Sequence, residues 1–573
     1  MSTAPVEFPP PVDSAKEFVG PPTDPVDERI EVGVVIVGGG PAGLSCAIRL
    51  SQLLEQDPGL AQSLGEVPIA LVEKGRGPGS HLLSGGLMRP SAMHKLLPDL
   101  AEADWPTYGT VEKDRVYFMT KRRAVPLAPT PRPFRNEGNH MVAVSQLARF
   151  LSEKAEEVGV YILGETAATK LLVEDGQTMG VRTGDKGRDK EGGKLRNFEP
   201  GSDLVGKATV LAEGTQGHLA GAAIRHFGLG SEDPMQWELG VKEVWEVTRP
   251  LDRIIHTLGW PLRFGARYRE FGGSWLYPMG EDKVSMGFVT GLDYRDATFS
   301  VHDTLQLFKT HPMIEGILDG GRRVAWGAKT IPSGGYWAMP ERLWAPGLCI
   351  AGDSAGMVNV PQLKGIHYAM HAGMFAAEAI YEALKEDDTR DLSGYAERVL
   401  GSEIESDIRR SRNMRQPFSK GFLVGGAVAN AMEITGGRFP GGRWKTHDDA
   451  AVDVFVGDRD KVYPKPDGKK TFDKLSSVFT TGNATRDDAP NHIRIQERVP
   501  YELALMWQNM CPAQVYEVPD EELEKQLEED GDTKRLVDMK VTPSNCVLCG
   551  AITAKGGRLT PPEGGDGPNY QVT

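Results

Sequence analysis

The chain has 573 residues, which at roughly 150 residues per domain allows three or four domains, and its 40% hydrophobic and 25% charged residues exclude a coiled coil, a collagen or a wholly disordered chain. With 79 acidic against 65 basic residues the net charge is -14, which repels phosphate backbones and argues for no nucleic acid partner. Five cysteines in so long a chain exclude a secreted disulfide framework. Three of them, Cys511, Cys546 and Cys549, cluster near the end of the chain and point to metal.

The first 28 residues hold seven prolines, six acids and one base, Lys16. This is neither a signal peptide nor an Arg-rich transit peptide, and residues 1–29 read as a disordered acidic, Pro-rich tail. Val34–Val37 is a short apolar run that ends in a glycine turn and a helix, the β-turn-α unit of a nucleotide fold. Residues 68–72 form a second strand ending at Glu73. Leu147, Phe150, Leu151, Ala155 and Val158 share one helical face, followed by strands at 160–163 and 169–174. The charged, Gly-rich run 184–206 reads as a hairpin tip. A strand at 208–212 leads into Ala212-Glu213-Gly214, and one at 347–350 leads into Gly352-Asp353 and a long helix over 364–385.

Between these nucleotide-fold pieces, residues 236–340 alternate apolar and polar positions, as in Ser274-Trp275-Leu276-Tyr277, which predicts an antiparallel sheet. The fold class is therefore α/β. A discontinuous Rossmann-like domain takes residues 30–90, 140–235 and 340–400, and an inserted antiparallel-sheet domain takes 91–139 and 236–339. A helical segment covers 401–454, and a turn-rich C-terminal domain covers 455–573. No stretch reaches 18 apolar residues, so a spanning helix is not expected, while attachment to a membrane surface remains open.

Gly38-x-Gly40-x-x-Gly43 directly follows a strand and opens a helix, which is the context a dinucleotide fingerprint requires. Its glycines let backbone approach a pyrophosphate whose charge the helix N-terminus favours. Glu73 is placed to bind ribose hydroxyls, with the insertion over 51–65 explaining its distance from the turn. Gly352-Asp353 adds an acid suited to ribityl hydroxyls and selects FAD over NAD. No second fingerprint appears, so a separate NADPH domain is not expected. Cys511-Pro512 and Cys546-x-x-Cys549 are the vocabulary of iron-sulfur ligation; zinc would want a fourth ligand, and a redox dithiol usually opens a helix. Cys46 and Cys349 lie in apolar runs and read as core residues.

Beyond these motifs, the chain resembles the electron-transfer flavoprotein:ubiquinone oxidoreductase family from about residue 32 to its end. The phrases that carry the likeness include VVIVGGGPAGLSCAIRL, VEKGRGPGSHLLSGG, HTLGWPL, FGGSWLYPM, AGDSAGMVNVPQLKGIHYAM, CPAQVYE and PPEGGDGP. The resemblance implies FAD and a [4Fe-4S] cluster in a monotopic membrane protein that takes electrons from electron-transfer flavoprotein and reduces a membrane quinone. In this acidic chain it implies the cytoplasmic face of a bacterial inner membrane. It assigns Gly38, Gly40, Gly43 and Glu73 to the FAD phosphates and ribose, Gly352 and Asp353 to the ribityl chain, and Gly272 and Gly273 to the quinone head group. It makes 91–139 and 236–339 the quinone-binding domain and 455–573 a ferredoxin-like iron-sulfur domain. Residues 81–100 and 418–434 resemble the membrane-docking surface.

The likeness breaks at the cluster motif, where Ile552 stands in place of a third closely spaced cysteine. Three thiolates suit a [3Fe-4S] cluster, or a [4Fe-4S] cluster with a non-cysteine fourth ligand such as water or Thr553. His256 and Tyr277 are candidate proton relays for quinone. The competing reading is an FAD-dependent monooxygenase or isoprenoid reductase with a degenerate cluster domain.

Overall fold

Val34–Val37 is buried along its whole length and forms the middle of a six-stranded sheet. The order is Tyr161–Leu163, Ile69–Val72, Val34–Val37, Ala208–Leu211, Leu348–Ile350 and Trp344–Ala345. All neighbours are parallel except the last pair. Strands covered on both faces carry unbroken apolar runs, as Val34–Val37, Ile69–Val72 and Ala208–Leu211 do. Helices Pro41–Glu55 and Ile366–Lys385 cross at Gly373, where an added Cβ would lie 2.0 Å from the Ala42 carbonyl oxygen. The computed structural model describes residues 13–23, 29–496, 498–518 and 530–573.

The second large sheet has seven strands, ordered Arg322–Pro332, Trp237–Glu246, Lys283–Gly291, Gly272–Met279, Ile254–Gly259, Asp114–Met119 and Ala124–Pro126. It is antiparallel, as the alternation predicts, except where Ile254–Gly259 runs parallel to Asp114–Met119. That pair stitches the early segment into the sheet built mainly from 237–332. The C-terminal region is held by three short antiparallel ladders and by helix Tyr501–Met510. It shares one hydrophobic core with the seven-stranded sheet: Leu239, Trp326, Trp507, Cys511 and Cys546 belong to the same cluster.

The expectation of a disordered tail over 1–29 needs correction for the part described. Ser14–Glu17 is a helical turn capped by the Asp13 carboxylate. Phe18 is buried with its ring edge-on to His218, centroids 5.1 Å apart. Val19–Gly20 then pairs with Leu171 and Leu172, and Arg29–Glu31 pairs with 203–205, so the segment fills both open edges of a five-stranded sheet. Unpaired edges and one apolar anchor outweigh the polar composition here. Residues 1–12 and 24–28 lie outside the described residues.

Helix Phe422–Ile434 buries only Gly425 and Met432, while Leu423 and Ile434 are 80% and 83% exposed. It is therefore not a core helix. Its first turn rests on an aromatic patch, with Phe264 and Phe422 at 4.8 Å and Phe118 and Phe264 at 5.7 Å between ring centroids. No helix among the described residues is long and apolar enough to cross a membrane.

Candidate functional site

The strand that ends at Val37 turns at Gly38, whose φ is +109°. A Cβ there would sit 2.3 Å from the Ala212 carbonyl oxygen, and one at Gly43 would sit 2.0 Å from that of Gly38. At Gly40 the nearest atom to an added Cβ is 3.9 Å away, so this glycine opens space instead of relieving a clash. Gly38 and Gly40 line a cavity of about 320 Å³, and Gly43 lets the helix close against the turn. Glu73 ends the neighbouring strand, and its carboxylate accepts from the backbone N–H of Gly39 at 2.8 Å and of Gly75 at 2.6 Å. Both oxygens keep lone pairs for hydroxyl donors.

Asp353 follows strand Leu348–Ile350 and lines the same cavity. Burial pushes its carboxyl up to about 6, opposed by the charge of Lys329. Its side chain accepts no hydrogen bond among the described residues, which leaves an acceptor facing the cavity. Gly352 turns the chain against Ala42 and Ala369 and does not line the cavity. A glycine cradle, a helix N-terminus and two carboxylates with spare acceptor capacity fit the phosphates and polyols of FAD.

The cavity continues from this turn to Trp275, Tyr277 and Val289 of the seven-stranded sheet, and to Leu548 and Gly550 of the cysteine loop. Tyr277 OH lies 2.7 Å from His256 Nε2. Burial lowers His256 to about 3 and raises the Tyr277 phenol, so both are neutral. Gly272 and Gly273 do not line this cavity. They lead into the strand so tightly that added Cβ atoms would lie 1.9 Å from Val289 O and 2.5 Å from Thr257 O. The preceding Phe271 rests on Phe418 at 4.6 Å, beneath the exposed helix.

Helix Tyr501–Met510 delivers Cys511, and Cys546 and Cys549 follow a short turn over Pro543–Asn545. The three thiols line one pocket of about 20 Å³, with Val515, Tyr516 and Ile552. Positive φ at Gln514, Leu548 and Gly550 curls the backbone around it. The N–H of Val515 donates to Cys511 Sγ at 3.5 Å and that of Leu548 to Cys546 Sγ at 3.4 Å, contacts of the kind that stabilise cluster sulfur. Burial raises all three thiols, Cys549 to about 12. They give up their protons when metal binds. Among the described residues no group of three His, Cys, Asp or Glu converges on a single metal ion. Three thiols around a shared pocket fit a multi-iron cluster.

Two expectations fail at this point. Thr553 is exposed and absent from the pocket, while Ile552 is buried and lines it. Of residues 81–100, Leu82 to Leu87 line the main cavity and helix Ser91–Leu96 buries Ala92, Met93 and Leu96, so most of this stretch faces inward. An apolar run alone does not tell a docking surface from a cavity wall.

Sequence reasoning also missed three lysines on the cavity wall or behind it, of which Lys242 and Lys364 are buried and Lys329 is half-buried. Lys329 donates to the Leu548 carbonyl at 3.0 Å, Lys364 bonds Asn136, and Lys242 donates to Ser84 O at 3.0 Å. Burial, first of all causes, lowers them to about 8, 7 and 7. Their signal is a lysine inside an otherwise apolar strand or turn, as in Ala328-Lys329-Thr330.

Across nearly the whole length, the chain is 36% identical over 565 residues to the mitochondrial electron transfer flavoprotein-ubiquinone oxidoreductase of Oryza sativa subsp. japonica, covering 95% of this chain and 93% of that protein. The chain belongs to the electron transfer flavoprotein-ubiquinone oxidoreductase family. The Pseudomonas aeruginosa member is 35% identical over 567 residues, with 95% and 99% covered. Family models described as ETF-QO, ubiquinone-binding, and as electron transfer flavoprotein-ubiquinone oxidoreductase, 4Fe-4S, match residues 237–331 and 468–571. The first falls on the seven-stranded sheet and the second on the cysteine region. Among solved structures, a geranylgeranyl bacteriochlorophyll reductase-like protein from Thermoplasma acidophilum shares the fold, with a TM-score of 0.54 at 17% identity over 71% of this chain and 92% of that one.

Proposed function

We propose that this protein oxidises reduced electron-transfer flavoprotein and reduces a membrane quinone, with FAD and an iron-sulfur cluster as its cofactors. The observation that carries the reading is the single cavity bounded by the nucleotide turn at one end and the cysteine loop at the other. When bound, FAD exchanges single electrons for pairs and the cluster stores one electron. Gly38, Gly40 and Gly43 cradle the phosphates, Glu73 and Asp353 bind ribose and ribityl hydroxyls, and Cys511, Cys546 and Cys549 hold iron.

Quinone takes up two protons with its two electrons. Tyr277 keeps its phenol proton beside His256 Nε2 inside the buried sheet. Gly272 and Gly273 offer backbone to the quinone head group at the sheet end below Phe418. The exposed apolar helix Phe422–Ile434 docks on the lipid surface, on the cytoplasmic face of a bacterial inner membrane, and the aromatic patch below it supports that placement. Residues 401–454 form the docking segment and 455–573 the cluster domain. With Ile552 closing the fourth corner and Thr553 turned to solvent, a three-iron [3Fe-4S] cluster is the form best supported.

One preparation tests the whole reading. Anaerobically purified protein is expected to hold one FAD with iron and acid-labile sulfide, to sediment with lipid vesicles, and to reduce a quinone analogue when given reduced electron-transfer flavoprotein. Protein that holds FAD but passes no electrons from that donor to any quinone analogue sinks the proposal.

A further inference from the structure

Adjacent residues of strand Arg322–Pro332 reach from the cavity to the cysteine loop by hydrogen bonds. Thr330 donates twice to the Cys549 carbonyl, from N–H at 2.8 Å and from Oγ1 at 2.9 Å. Lys329 donates from Nζ to the carbonyl of Leu548, the residue just before Cys549, at 3.0 Å. Of these three bonds only the last brings a charge. The Lys329 ammonium has two further N–H groups and lines the cavity.

No carboxylate lies within ion-pair distance of Lys329 among the described residues. The groups that face it are Lys74, which adds to the positive charge, Glu73 and Asp353 across the cavity, and the sulfurs of Cys546 and Cys549. A half-buried cation on a cavity wall without an ion-pair partner carries a desolvation cost. The cost is offset when the cavity and the pocket fill with groups that become more negative on reduction. Coulomb attraction then favours the reduced state of both.

We propose that Lys329 is a positioning residue shared by the two cofactor sites, whose ammonium raises the reduction potentials of flavin and cluster together while tying the cysteine loop to the sheet. The inference rests on the assignment of FAD and an iron-sulfur cluster above. It accounts for a charged side chain at a point where Thr330 alone already anchors the loop.

Redox titration of the holoenzyme, followed by flavin absorbance and by cluster EPR, tests it with K329Q, K329R and T330V, each with FAD and iron measured per chain. K329Q is expected to weaken electron uptake at both centres at least tenfold, which is 59 mV for a one-electron couple. K329R keeps both within about threefold, and T330V, which removes the Oγ1 bond to the loop without removing charge, shifts them less than K329Q. Unchanged potentials in loaded K329Q overturn the proposal, as does a K329R or T330V shift as large as that of K329Q. If K329Q fails to fold, K329M, which also removes the charge, takes its place in the same comparison with K329R and T330V. Wild-type protein without iron would instead sink the cluster assignment, and the flavin midpoints of the same variants would still decide the role of Lys329.

Discussion

The nucleotide turn and the cysteine loop meet the same cavity from opposite ends and are built by opposite means. The turn uses backbone: Gly38 and Gly43 exist to let carbonyls and N–H groups come close, and all three glycines fall within six residues. The loop uses side chains, gathered from positions 511, 546 and 549 by a helix end and a short turn. A site made of backbone tolerates change nowhere in a few residues, whereas a site made of side chains loses one donor at a time. Ile552 lines the pocket where a fourth thiol would complete the set, and the pocket is closed around three thiols.

The sharpest way to break this contrast is Gly43→Val. Its Cβ would meet the Gly38 carbonyl at 2.0 Å, and overpacking of this kind costs about 1–3 kcal/mol or more. FAD per chain is expected to fall below a tenth, with a lower melting temperature. Retention of stoichiometric FAD would mean that the turn is not the phosphate cradle. At the other end, Ile552→Cys restores a fourth thiol to the pocket, and iron per chain is expected to rise from three to four with loss of the oxidised-state EPR signal of a three-iron cluster. An unchanged iron count would show that the corner cannot be opened by side chain alone.

The most gradual effect expected is on acid stability, and it belongs to the quinone side. An unfolded histidine takes a proton below about 6.5, whereas His256 in the fold stays neutral down to about 3 because burial disfavours its charge. The unfolded state therefore binds more protons in that window, and stability falls as pH drops through it, by at most about 1.4 kcal/mol per pH unit for this group. Denaturant unfolding of His256→Asn from pH 6.5 to 4 is expected to show a shallower loss than the parent. Parallel curves would mean that His256 does not carry the dependence.

Much of this could be read before the fold was known. The strands over 34–37 and 208–211, the fingerprint glycines, Glu73 and Asp353 all announce themselves by local pattern, since each depends on neighbours a few residues away. What escaped depends on partners far off in the chain. Lys329 has meaning only beside Leu548, and Ile552 and Thr553 differ in exposure by the winding of one short turn. Phe18 looked like part of a polar tail because the two sheet edges it serves lie beyond residue 165. Residues 81–100 were misplaced because apolar composition is the same for a lipid face and a cavity wall.

The six-stranded sheet carries a further consequence, for synthesis. Its central strand is made at residues 34–37, yet the strand that completes the wall holding Asp353 arrives only at residues 348–350. At 5–20 residues per second the first glycine turn waits on the order of 15–60 s on the ribosome for the segment that brings Asp353 to the same cavity. Val34–Val37 gains its second neighbour at residues 208–211, and from then until 348–350 arrive it is Ala208–Leu211 that has an open flank, the kind of exposed apolar strand that recruits chaperones or mispairs. Loading of FAD is therefore expected to follow, not to guide, the making of the first three hundred residues.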